Sequence, residues 1–92
     1  MARWKKLLSK MLSDSNPITY TYDEASQVLV ALGFEVAPHG GGSHRKWRRS
    51  LPGGNAIIVG LVEKGSGPLK PYLIRDMLSQ LTLNGLVPED KE

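Results

Sequence analysis

The sequence predicts a small α+β domain in which a helix, three antiparallel strands and a second helix follow one another, with an extra amphipathic helix in front. Three observations predict it. Thr21 and Glu24 have the spacing of a capping box at the head of a helical pattern. The pair Gly53 and Gly54 separates two runs that read as hairpin strands. Leu73, Ile74, Met77, Leu78 and Leu81 recur at the spacing of one helix face. At 92 residues the chain supports one modest core, since a chain of this size buries only about 60–65% of its unfolded surface.

Taken in order, Leu7, Leu8, Met11 and Leu12 lie at helical spacing near Trp4, with Arg3, Lys5, Lys6 and Lys10 largely on the other side. Residues 1–12 therefore read as a short helix that docks by its apolar stripe. Ser13 to Pro17 break that pattern with small polar residues and a proline. The capping box then predicts a helix over about Tyr22–Leu32, with Ala25, Val28, Leu29 and Leu32 inward and Gly33 as its stop.

Phe34–Ala37 reads as a strand, Pro38–Gly42 as a turn and His44–Leu51 as a second strand. Ala56–Val62, a branched apolar run, reads as a central, well-covered third strand. Lys64–Pro68 is a Gly-rich loop. The last helix is expected to start near Leu69 or Lys70, with Pro71 in its first turn, and to end towards Asn84 and Gly85. A sheet of three short strands cannot bury itself, so both main helices are expected on one face, leaving the other to solvent or ligand. The chain thus divides into an accessory helix and linker (1–16), the domain proper (17–88) and an acidic tail (89–92).

Lys and Arg number 12 against 9 acids, a formal charge of +3, which permits a nucleic-acid partner without requiring one. The absence of cysteine excludes a disulfide framework, a thiolate metal site and a thiol nucleophile, and fits a reducing compartment such as the cytoplasm. At the N-terminus the basic residues are mixed through the apolar ones, so neither a secretory signal nor a membrane span is expected.

Chemistry concentrates in Gly40–Arg49, GGGSHRKWRR. No acid occurs between Glu35 and Glu63, which places His44 in a wholly basic stretch of sequence. A polyanion such as a nucleic-acid phosphate is the partner this favours. Glycines allow close backbone approach, and imidazole exchanges protons near neutral pH. Strand alternation sends Trp47 to one face and His44, Lys46 and Arg48 to the other. Trp47 could stack a base, but Leu51 shares its side of the strand, which favours the core. Arg45 and Arg49 are turned away from His44.

For His44, two readings stand on residue type: a general acid or base, or a strand histidine with a structural hydrogen bond. The basic surroundings favour the first. Lys46, Arg48 and the amides of the glycine turn, including Gly41 and Gly42, are candidate donors to a phosphate, as are Lys64 and Lys70 around the start of the last helix. His39 and His44 have no cysteine or nearby carboxylate in sequence to complete a metal site, so no metal or cofactor is expected. The three glycines do not match a nucleotide-binding loop.

The Gly42-Ser43-His44 tripeptide opening the second strand, an aromatic three residues after the histidine, the order of elements and IRDML at Ile74–Leu78 together resemble the HicA toxins. These are bacterial and archaeal messenger-RNA interferases with a fold like the double-stranded-RNA-binding domain. The likeness covers roughly Asp23–Leu86 and leaves out about the first twenty residues. It implies that His44, as the motif histidine, is catalytic and that a HicB-like antitoxin covers the His44 face. With RNA as the expected substrate, the candidate phosphate donors read above, Gly41, Gly42, Lys46, Arg48, Lys64 and Lys70, become the expected RNA contacts, together with Ser43 of the motif. Many family members carry a proline-histidine pair just after the third strand, where this chain has Leu61, Val62, Glu63 and Lys64. The expected function is a metal-independent endoribonuclease of a type II toxin–antitoxin pair; the alternatives are a non-catalytic RNA-binding module of the same fold and a protein-interaction domain.

Overall fold

A computed structural model describes residues 3–38, 41–63 and 67–87. Its elements are α1 (Arg3–Ser13), α2 (Tyr22–Ala31), β1 (Glu35–Val36), β2 (His44–Ser50), β3 (Ala56–Val62) and α3 (Pro71–Leu83). This is the helix, three-strand, helix order expected, with the additional helix in front. The acidic tail at 89–92 lies outside the described residues, as do His39 and Lys64.

The helix boundaries follow from local chemistry. At the head of α2 the Glu24 amide donates to Thr21 Oγ1 at 3.2 Å while Glu24 Oε1 accepts from the Thr21 amide at 3.0 Å. Two amides that no helical carbonyl could reach are thereby satisfied. α3 starts with Pro71, whose missing N–H costs nothing at that position, and ends at Asn84. Tyr20 ties the segment between α1 and α2 at both ends: its hydroxyl donates to Asp14 Oδ2 at 3.2 Å and its carbonyl accepts from the Leu69 amide at 2.7 Å. The approach to α3 is thus held against the approach to α2.

The sheet is antiparallel in the order β1-β2-β3. Two successive hairpins place β2 in the middle, so β3 is an edge strand and not the central one its apolar run suggested. The run has another cause: Ile57, Val59 and Leu61 all point beneath the helices and are buried, whereas Ile58 on the opposite face is 46% exposed. β1 is also shorter than the expected Phe34–Ala37. Phe34 turns into the core, and only Glu35 and Val36 pair with β2, opposite Arg48 and Trp47. The Ala37 amide adds one bond, to the Lys46 carbonyl.

One core joins the inner sheet face to all three helices: Trp47, Ile57, Val59 and Leu61 meet Val28, Leu29, Ile74, Met77 and Leu81. α1 belongs to it. Leu8 and Met11 are fully buried, each contributing about 1.5–3 kcal/mol, so the first helix is part of the packed body. No described helix is long and apolar enough to cross a membrane.

Candidate functional site

Alternation along β2 divides its side chains between two environments. Trp47 is 6% exposed and meets the Tyr22 ring at 6.4 Å between centroids, with Arg45 and Arg49 half-buried on its side. His44, Lys46, Arg48 and Ser50 stand exposed on the other face. Trp47 is therefore a core residue and offers no stacking platform. Its Nε1 is buried without a hydrogen-bond partner among the described residues. It lies near enough to the Tyr22 hydroxyl to favour ionisation there, although burial, the larger influence, raises the Tyr22 pKa above its ordinary value.

On the open face the three side chains follow one another at about 6.6 Å intervals, the repeat of alternate strand residues. Cross-strand register completes the surface: His44 stands opposite Val62, Lys46 opposite Gly60, and Arg48 between Glu35 and Ile58. Among the described residues the only ion pair within 4.0 Å is Arg45 with Glu63, so neither Lys46 nor Arg48 is held by a carboxylate. No group of three His, Cys, Asp or Glu that could hold a metal occurs among the described residues.

The turn before His44 needs its glycines. Gly41 and Gly42 have φ of +123° and +75°, a region costly for any residue with a Cβ. Gly42 and Ser43 lead directly into His44, and Arg45 fastens them: its Nη1 donates to the carbonyls of Gly42 and His44 at 2.8 and 3.2 Å, while its Nε donates to Glu63 Oε1 at 2.8 Å.

Two acids amend the wholly basic setting read from the sequence. The β2–β3 hairpin returns Glu63 to the site, its amide donating to the Ser43 carbonyl at 2.7 Å, and β1 brings Glu35 opposite Arg48. Linear distance hides both, because antiparallel pairing juxtaposes residues remote in sequence.

The structure thus groups Gly41, Gly42, Ser43, His44, Lys46 and Arg48. Lys70 is exposed at the N-cap of α3, where its side chain makes no capping bond. A hollow of about 140 Å³ lined by Tyr22, Val62 and Lys70 connects it to Val62, the cross-strand partner of His44.

Sequence reasoning misses two members of this surface. Arg45 faces inward, as its parity predicts, but its guanidinium reaches round to hold the His44 turn. Gly60 reads in the sequence as part of an apolar run. It leaves bare backbone in the middle of the open face, with nothing among the described residues within 4 Å of where a Cβ would lie. A lone glycine inside a run of branched residues is the signal that marks it.

Comparison with curated proteins and with solved structures gives no match. A family model described as the HicA toxin of bacterial toxin-antitoxin matches residues 22–83, from the first turn of α2 to the end of α3 and including the whole sheet and the Gly42-Ser43-His44 turn. That match spans two thirds of the chain, and the chain belongs to the HicA toxin family.

Proposed function

We propose that this chain is the endoribonuclease of a type II toxin–antitoxin pair and cuts messenger RNA by transesterification, with His44 as the general acid–base group. The observation that carries this reading is that His44 shares an open sheet face with Lys46 and Arg48, directly after a turn of two positive-φ glycines. The 2′-oxygen attacks the adjacent phosphorus and the bond to the 5′-oxygen breaks, leaving a 2′,3′-cyclic phosphate and a 5′-hydroxyl. His44 accepts the 2′-hydroxyl proton and passes it to the departing oxygen. Charge gathering on the phosphorane is met by Lys46, Arg48 and the amides of the glycine turn. Gly60 lets the sugar-phosphate chain come down on the sheet beside the imidazole.

These steps need no metal. An acidic surface of a HicB-like antitoxin would complete the inhibited complex by covering the same cations. The test pairs a protein change with a substrate change. His44→Ala should abolish cleavage with Tm nearly unchanged, and wild-type protein should fail to cut RNA whose target nucleotide is 2′-deoxy. Cleavage by folded His44→Ala protein would overturn the catalytic role. RNA bound but never cut by the wild type would leave a binding module.

A further inference from the structure

The first helix carries four cations, Arg3, Lys5, Lys6 and Lys10, and the chain has no acid before Asp14. Three of them, Arg3, Lys6 and Lys10, recur at i, i+3 and i+7 and therefore lie along one side of α1, about 10 Å from end to end. That side faces α2. Together with Leu7, Glu24 and Gln27 they line a groove of about 210 Å³ between the two helices. Lys5 is placed differently, its ammonium standing over the Trp4 ring at 5.8 Å.

Of these charges the fold favours only Lys10, which stands in the last turn of α1 where the helix dipole suits a cation; Arg3 and Lys6 gain no such support. Cations in the first turn oppose the helix dipole, and the only ion pair among the described residues lies elsewhere, between Arg45 and Glu63. Glu24, the single acid in the groove, already spends Oε1 on the Thr21 amide in the α2 cap. A lipid surface is a poor occupant, because the apolar stripe that would enter it is in the core, with Leu8 and Met11 fully buried.

The groove suits RNA in particular. Its three cations match phosphates, and the Glu24 carboxylate and the Gln27 amide oxygen beside them are acceptors that a ribose 2′-hydroxyl can use, while the Gln27 NH2 can donate to a phosphate oxygen.

We propose that the α1–α2 groove is a second binding site for the RNA sugar-phosphate backbone, separate from the His44 face. It lies mostly on residues outside the 22–83 family match. The proposal rests on RNA being the substrate, but its test does not depend on cleavage.

Binding of a fluorescent single-stranded RNA would be followed by anisotropy across a salt series, with the His44→Ala form of the 92-residue chain as the parent so that the probe stays intact. In that parent, the triple change Arg3→Gln, Lys6→Gln and Lys10→Gln should weaken binding about tenfold or more at low salt and lower the log–log salt slope by about 2, at roughly 0.7 for each phosphate no longer neutralised. Glutamine is nearly as good a helix former as the residues replaced, and all three positions are exposed. Should the triple variant nonetheless fold poorly, Lys10→Gln alone should lower the slope by about 0.7. Gln27→Ala should reduce the preference for RNA over DNA of the same sequence by about two- to tenfold, the worth of one hydrogen bond.

Unchanged affinity and slope in folded variants would overturn the proposal. So would a triple variant that keeps its RNA affinity but loses affinity for polyglutamate, which would assign the groove to an acidic protein. If wild-type protein binds RNA without cutting it, the nuclease reading falls while the slopes still decide the groove.

Discussion

Arg45 and Glu63 meet across the β2–β3 ladder at 2.8 Å, and the same guanidinium holds the carbonyls on either side of Ser43. Glu63 is half exposed, its side chain 49% accessible, so the ion pair itself is worth no more than about 1 kcal/mol to stability. Its larger effect is on geometry, because one planar group fixes the backbone from which His44 departs.

Arg45→Met, which keeps the apolar stem, should therefore lower kcat for RNA cleavage about tenfold while Tm and KM change little. Arg45→Lys should not restore the rate, since one ammonium cannot reproduce the planar fork of donors. A rescue by lysine, or a rate that falls only in step with stability, would reduce Arg45 to a structural role.

Gly60→Val tests the bare backbone opposite Lys46. Valine is the better strand residue, there is open space for its side chain, and the glycine has no positive φ to lose. Thermal stability should hold or rise while RNA affinity and cleavage fall together. An unaffected nuclease would mean that RNA does not lie across the middle of the sheet.

Lys46→Gln together with Arg48→Gln should lower the salt slope of RNA binding by about 1.4, from two phosphates at roughly 0.7 each for a single strand. Both side chains are exposed and free of carboxylate partners among the described residues, so their loss should not alter melting. Filter binding from low to moderate salt gives the slope directly, and a slope equal to wild type would place the phosphates elsewhere.

Activity in excess EDTA should equal activity without it. Complete loss, restored by a divalent ion, would require carboxylate ligands that do not cluster among the described residues.

What can be read from the sequence is what local chemistry decides. The Thr21–Glu24 reciprocity needs only three residues of separation, and α2 begins where it points. Alternation about Trp47 needs one buried aromatic to set the parity of β2, which then places His44, Lys46 and Arg48 together. What escapes depends on pairing. A run such as Ile57-Ile58-Val59 looks the same in a central strand as in an edge strand covered on one face, and only the hairpin order distinguishes them. Glu63 and Glu35 return to the basic strand through registers that no local pattern announces. Arg45 faces inward as its parity requires, yet its length carries the charged end back to the turn.

The linker before α2 sets an alkaline limit on stability. The Tyr20 hydroxyl is buried and donates to Asp14 Oδ2, and burial followed by that bond raises its pKa. Tyr22 is raised as well, chiefly by burial. Both groups are thus held neutral more firmly in the folded chain than in the unfolded one, where they titrate near the ordinary phenol value of 10.0. Their contribution is complete below that pH and is lost as pH rises through the higher folded values. Urea unfolding of wild-type protein should give a free energy that falls above about pH 10. In the double variant Tyr20→Phe, Tyr22→Phe that fall should be shallower. The variant should start lower at neutral pH by about 1 kcal/mol, the worth of the missing bond to Asp14. An identical alkaline slope in the two proteins would show that neither phenol is held by the fold, and the bond between Tyr20 and Asp14 would then not anchor the start of α2 to the end of α1.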